Sequence, residues 1–439
     1  MMKILFLCYI FFVICFFVPS VAYAYLDPGT GNALVYVVLS LVGAFFYFIK
    51  GFFYKIIKKQ SEQNNKSFSE EQKSIVIFSE GKAYWNVFKP IVEKLIEKQQ
   101  FFSYYTMGMD DPCLRIDSPY MDNCFIGDGH RAFVKIGNLN ANIVLTTTPN
   151  IGTKGFPIPR SNGIIKLAYT GHSFDDAAYM HRGALNYYDA VMLTGEFVIN
   201  SIRMLEKIRN LPAKELYPAG LPYMDELIKK ASIFASKNPE LQKITVLLAP
   251  SWGNKGFLNS YGSDFIEELA KQDFNLILRP HPQSLKVERK LIRDIEKKLR
   301  KYKNLKWDLN PDGTESFQIA DIMISDTSAV RFDFALVYQK PFITIPIVFT
   351  PEMIQEYELA DLGYSWTEEA IKIISYTLKD GEIKYIGDII RRILREKSHE
   401  DILEFRNKNI YNLGHSGEVI AEYLINTNLK IQAAMKKDQ

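Results

Sequence analysis

The chain opens on two apolar runs. Ile4 to Val18 is almost unbroken apolar and aromatic, preceded by Lys3 and followed by Pro19, Ser20 and the small-residue pattern Ala22-Tyr23-Ala24. That layout reads as a signal peptide or a first transmembrane helix over residues 1–24. Ala33 to Ile49, extended through Phe52 and Phe53, predicts a transmembrane helix over 33–54. Two arrangements stay open: cleavage after Ala24 leaving one anchor, or a hairpin of both runs. Residues 60–73, QSEQNNKSFSEEQK, are polar and read as a tether.

Beyond the tether, short β-rich runs alternate with helical periodicity, which predicts a parallel α/β architecture. Strands are expected at Ile75–Phe78, Phe102–Thr106, Ile143–Thr147, Ile164–Tyr169 and Ala190–Leu193. A second series follows at Thr245–Ala249, Phe274–Leu278, Ile322–Ser325 and Phe342–Ile345. Tyr84, Val87, Phe88, Ile91, Val92 and Leu95 keep 3.6-residue spacing, and Leu285–Leu299 reads as a charged amphipathic helix. The two blocks predict two Rossmann-like domains facing a cleft, 74–225 and 244–425.

With 439 residues, 47% hydrophobic and 13% aromatic, the composition excludes a disordered or collagenous chain, and four cysteines exclude a disulfide scaffold. The net charge of +3 is unevenly placed: residues 1–59 hold five lysines against Asp27, a net +4, leaving −1 for the remainder. Lys50, Lys55, Lys58 and Lys59 follow the second apolar run, so the positive-inside bias puts the rest of the chain on the cytoplasmic side of the membrane. Cys8, Cys15, Cys113 and Cys124 show neither metal-ligand nor disulfide spacing, which fits a reducing compartment. A weakly positive balance does not by itself imply nucleic acid, whose partners usually show a clustered basic stripe and a higher pI.

There is no phosphate-loop, H-E-x-x-H, G-x-S-x-G, C-x-x-C or Asp-x-Asp pattern. Three segments carry candidate chemistry, each directly after an expected strand, where open α/β sheets present ligand-contacting residues. Arg279-Pro280-His281-Pro282 fixes two phosphate-addressing side chains between prolines. Ser325-Asp326-Thr327-Ser328, with Asp333 further on, opens a helix expected to begin near Ser328, whose free N–H groups and hydroxyls would suit a pyrophosphate. Tyr169-Thr170-Gly171-His172-Ser173 places His172 on a turn, with Asp175 or Asp176 as candidate orienting groups. The structural alternatives are an N-cap at Asp326 or Thr327, and a capping box Ser173-x-x-Asp176 opening a helix that contains His181.

Taken together, GLPYMDEL (220–227), VLLAPSWGNKG (246–256), RPHP (279–282) and ISDTSAVRFDFAL (324–336) resemble, in order, motifs of the bacterial CDP-glycerol glycerophosphotransferases of teichoic-acid synthesis. The resemblance implies the glycosyltransferase-B fold and transfer of glycerol phosphate from CDP-glycerol to a hydroxyl at the membrane surface. It implies donor-pyrophosphate contacts from Arg279, His281, Thr327 and Ser328, with Asp333 near the donor's polar end. YTGHSFDD (169–176) stands where those enzymes carry a His-Gly-Thr-Pro-Leu-Lys acceptor segment, so only His172 carries over, as a general base. Tyr223 replaces their usual Arg. The implied partners are a CDP-activated polyol, a membrane-associated or lipid-linked glycan acceptor and inner-membrane lipid. No cofactor is required, with room for a loosely held Mg²⁺. The alternative on the same fold is a UDP-sugar glycosyltransferase or UDP-GlcNAc 2-epimerase; a non-enzymatic membrane scaffold is the third.

Overall fold

Ile75–Ser79 (β1) is buried at every position, as a strand covered by helices on both faces must be. It lies inside a seven-stranded sheet with Phe102–Thr106 (β2), Met121–Phe125 (β3), Ala141–Thr146 (β4), Ile164–Thr170 (β5), Ala190–Leu193 (β6) and Glu215–Pro218 (β7). The order is β3-β2-β1-β4-β5-β6-β7 and every pairing is parallel. Thr245–Ala249 (β8), Asn275–Leu278 (β9), Leu305–Trp307 (β10), Ile322–Ser325 (β11), Phe342–Thr344 (β12) and Ser375–Thr377 (β13) form a second parallel sheet, ordered β10-β9-β8-β11-β12-β13. Both are doubly wound, with the order reversing beside β1 and beside β8. Ligands of such sheets bind at the strand C-termini near that reversal.

This computed structural model describes residue 69 and residues 74–437 other than 175, 236–242, 254–255, 311, 348–349 and 380. The segments read as signal or first helix (1–24) and membrane helix (33–54), and all of the tether (60–73) but Ser69, lie outside the described residues. Among the described residues no helix is long and apolar enough to cross a membrane. Lys66–Gln439 forms one compact unit holding both sheets.

The four strands that the hydrophobic pattern did not predict, β3, β7, β10 and β13, are the four sheet edges. An edge strand has one unpaired flank and needs no unbroken apolar run; β7 is ELYP with no buried position.

Eight helices matter for the site and its surroundings. Trp85–Glu97 (α1), Phe197–Arg209 (α2) and Pro222–Ala235 (α3) belong to the first half; Phe257–Ala270 (α4), Arg289–Leu299 (α5), Val330–Tyr338 (α6), Trp366–Ile374 (α7) and Ser416–Lys437 (α8) follow. The amphipathic pattern expected over 285–299 is interrupted at Glu288 (φ −112°, ψ 30°), which separates Ser284–Val287 from α5. A further difference concerns α8, part of which the sequence assigned to the second domain (244–425). Its Ile420 and Leu424 enter the first sheet's core with Phe88 and Ile91, and Gly417 sits so close to Pro90 that a Cβ there would lie 2.4 Å from its ring. The chain therefore crosses back to its first sheet. The two sheets share an apolar seam in which Phe174, Leu221 and Met224 pack with Leu247, Phe332 and Phe334.

Candidate active site

β9 ends at Leu278, and the backbone N–H of Arg279 still bonds to Leu248 O at 2.9 Å, which holds the Arg-Pro-His-Pro segment at the sheet's edge. Arg279, His281 and Ser328 line one open cavity of about 490 Å³, together with Asn86 of α1 and Lys230 of α3. Three of the expected donor-site residues therefore meet at the cleft between the sheets.

Their chemistry differs. Arg279 Nη1 donates to Asp308 Oδ2 and to Asn310 O, each at 2.7 Å. Its side chain and that of Asp308 are only 14% and 9% exposed. Much of its charge is thus matched before any ligand arrives. Gly313 permits this: a Cβ there would lie 2.9 Å from Arg279 Nε. His281 Nδ1 accepts from Gln283 N–H at 3.1 Å. A ring nitrogen that accepts carries no proton, so the neutral imidazole is left with Nε2–H as its donor. Burial pushes the His281 pKa below the usual histidine value, against the opposing charges of Asp326 and Glu288. The exposed Trp252 stacks beside it, centroids 6.4 Å apart.

The helix-start motif behaves differently from the expectation. Ser325 is fully buried and donates to Ala249 O at 2.6 Å. Asp326 is also fully buried and accepts from Ser251 N–H at 3.0 Å, Phe257 N–H at 3.0 Å and Ser328 N–H at 3.3 Å. Both are correctly placed at the strand end, but they tie β11 to the β8 loop and cap α4 instead of facing the cavity. A buried carboxylate needs that many donors to offset its lost hydration. Arg331, itself buried, donates to Asp326 O from below. Thr327 is exposed on the turn, outside the cavity wall. The helix begins at Val330, two residues after Ser328. Asp333, on its first turn, accepts from the hydroxyl of Tyr223.

His172 lies after β5 in a second cavity of about 290 Å³, with Asp176, Tyr179, His181 and Thr194. One short segment touches both sites: Tyr84 sets its ring edge against His172 at 5.3 Å, and Asn86 lines the first cavity. His172 is exposed to the cleft, yet desolvation by the surrounding walls lowers its pKa. Asp175 lies outside the described residues. Asp176 does not orient His172. Its Oδ1 caps the turn Ala177–Tyr179 through Ala178 N–H (2.9 Å), and its Oδ2 accepts from Thr367 N–H and Ser365 Oγ, both at 3.1 Å. The helix expected to contain His181 is only that 3-10 turn; His181 instead bridges to Tyr357, with the rings stacked at 5.2 Å. Gly171 adopts no positive φ, and a Cβ there would make only ordinary contacts, so the turn does not require glycine.

Two long-range contacts are not legible in the sequence. Tyr223–Asp333 joins α3 to α6, and Asp225 accepts from Gly414 N–H (3.0 Å) and Gly417 N–H (2.9 Å), which docks α8. Both residues sit in or beside the GLPYMDEL motif, whose spacing was visible but whose long-range partners were not. Among the described residues no group of three His, Cys, Asp or Glu side chains could hold a metal ion.

Two doubly wound parallel sheets meeting at a cleft, with Arg279, His281 and Ser328 at strand C-termini, make a glycosyltransferase-B-like fold. Solved structures of this kind include the UDP-GlcNAc 2-epimerase of Methanocaldococcus jannaschii, at 15% identity and a TM-score of 0.52 over 80% of this chain and 99% of that one. The UDP-GlcNAc 2-epimerase of Neisseria meningitidis is similar at 13% identity and 0.52 over 81% and 100%. At such identities the likeness is one of fold. No curated protein matches. Residues 185–358 match the family model for CDP-Glycerol:Poly(glycerophosphate) glycerophosphotransferase.

Proposed function

We propose that the protein transfers glycerol phosphate, or a related polyol phosphate, from CDP-glycerol to a hydroxyl of a lipid-linked or cell-surface glycan acceptor, working at the cytoplasmic face of the membrane. The observation that carries this reading is the cavity that unites Arg279, His281 and Ser328 within the segment matching the family. The acceptor oxygen attacks the β-phosphorus and forms a new P–O bond. The bond from that phosphorus to the bridging oxygen breaks, and CMP leaves with the electron pair. His172, held neutral by its desolvated setting, takes the acceptor's proton. His281 Nε2–H and the Ser328 hydroxyl stabilise charge on the departing phosphate, in a cleft where such donors act more strongly than in water.

The test is CMP release by the full chain given CDP-glycerol and a lipid-linked acceptor. His281→Ala is expected to lower it by roughly 10²–10³, the usual cost of losing a preorganised donor. Unchanged release would remove the donor site proposed here. Thermal stabilisation by UDP-GlcNAc but not CDP-glycerol would instead favour the UDP-sugar reading.

A further inference from the structure

Between Lys286 and Lys306 the chain carries ten basic residues against Glu288, Asp294 and Glu296, a net +7 in a chain whose total is +3. All ten are exposed. Lys298 pairs with Asp264 and Glu267, and Lys301 with Glu267; the other eight form no ion pair with a described residue. Within α5 the buried face is Ile292, Ile295 and Leu299, which pack into the second sheet's core. Lys290, Arg293, Lys297 and Arg300 follow at spacings of three, four and three residues, so they form one stripe on the opposite, outward face. Like charges along one stripe repel and lower helix stability, and Asp294 and Glu296, which flank the stripe, form no ion pair with it. A blunted sheet edge accounts for Lys306 on β10, but not for the stripe on the helix.

We propose that this face of the second domain is a docking surface for anionic lipid headgroups. The contact is electrostatic and peripheral, because the helix's apolar side is already committed to the domain core and has nothing to insert. Two features favour a lipid surface. The stripe is free of exposed aromatic side chains for base stacking. The sequence also places the body beside the cytoplasmic leaflet, where anionic lipid is concentrated. The proposal rests on that placement but not on the transfer chemistry. Each cation brought near such a leaflet strengthens association by roughly fivefold, so four in a row supply a second attachment that holds the domain against the membrane.

The experiment uses the full chain with vesicles of phosphatidylcholine alone or with 30 mol% phosphatidylglycerol, and reads lysine acetylation residue by residue. Anionic vesicles are expected to slow modification of Lys290 and Lys297 severalfold relative to neutral ones, with the protection lost in 0.5 M NaCl. Lys372, an exposed lysine on α7 paired with Glu369, should be unaffected and serves as the control. A variant carrying Lys290→Gln, Arg293→Gln and Arg300→Gln should lose protection at Lys297 while melting as the parent does. Equal modification in both vesicle types overturns the proposal. So does protection by soluble poly(glycerol phosphate) with none from vesicles, since that would assign the stripe to an anionic polymer. Transfer activity is not the readout, so a wrong substrate assignment leaves this result intact.

Discussion

Phe174 packs against Phe332 with ring centroids 5.2 Å apart, so the loop that begins at His172 rests directly on the helix that follows Ser328. The same loop is held by the second domain at nearly every step. Asp176 caps α7, Tyr179 Oη donates to Glu368 at 2.7 Å, and Glu358 N–H donates to Met180 O at 2.9 Å. Further on, Gly183 N–H donates to Glu358 Oε1 at 2.9 Å, and Arg209 of α2 pairs with Glu358 and Asp361. A loop that leaves the first sheet is thus positioned by the second, and packed elements of this kind transmit shifts instead of absorbing them.

Phe174→Ala removes a fully buried ring and is expected to cost about 3–5 kcal/mol of stability, read by denaturant unfolding. Phe174→Leu keeps most of the apolar volume, so it should remain folded with a smaller loss. If the loop couples the two cavities, Phe174→Leu lowers kcat at saturating CDP-glycerol more than it raises the donor KM. A variant with lower stability but parental kcat would show that Phe174 is packing alone.

The pH dependence follows from His172. Desolvation holds its folded pKa below the usual value near 6.5, because the walls of the cleft disfavour the imidazolium. The neutral base therefore persists to lower pH than a free histidine would allow, and activity is lost only as pH falls through the depressed value. The acid limb of kcat/KM is expected below pH 6.5. His172→Gln should remove about 10²–10⁴ of the rate, with any residual acid limb belonging to His281. An acid limb above pH 6.5 in the parent enzyme would contradict the assignment.

Arg279 and Asp308 form a pair that neither residue can leave cheaply. Ser316 Oγ donates to the same Asp308 oxygen at 2.6 Å, so the carboxylate is held from two sides. Asp308→Asn leaves a largely buried guanidinium without its counter-charge, which for buried pairs costs roughly 3–5 kcal/mol. The melting temperature should drop accordingly. Because the guanidinium then lacks that counter-charge, CDP-glycerol should raise the variant's melting temperature more than the parent's. An equal shift in both would mean that Arg279 does not address the donor.

What the sequence revealed and what it concealed divide along physical lines. Central strands such as Phe102–Thr106, Ala190–Leu193 and Ile322–Ser325 were readable to the residue, because burial on both faces demands an apolar run. The edge strands were not, because nothing demands one there. The strand-end position of Arg279, His281 and Ser328 was equally readable, since it depends on local order. The pairing of Arg279 with Asp308, 29 residues on, and the burial of Asp326 were not. A carboxylate beside a strand end looks the same in sequence whether it meets a ligand or three backbone amides. The basic stripe on α5 was averaged away by the near-neutral charge of the body.

Asp225 offers a test of how the chain's return to its first sheet is secured. Burial raises its carboxyl pKa to about 6, while the Gly417 and Gly414 amides at the start of α8 act to lower it. A folded pKa above the unfolded value near 3.9 means that the native state binds the proton more tightly. The resulting stability is full below about pH 4 and is lost as pH rises through about 6. Asp225→Asn keeps an acceptor oxygen for one glycine amide but cannot titrate. The difference in melting temperature, parent minus variant, is therefore expected to decline steadily between pH 4 and pH 6.5 and then to level off. The amide hydrogen exchange of residues 416–424 should follow the same curve if the group acts through α8. A difference that is flat across this range would show that the two glycine amides dominate, with the carboxylate ionised throughout.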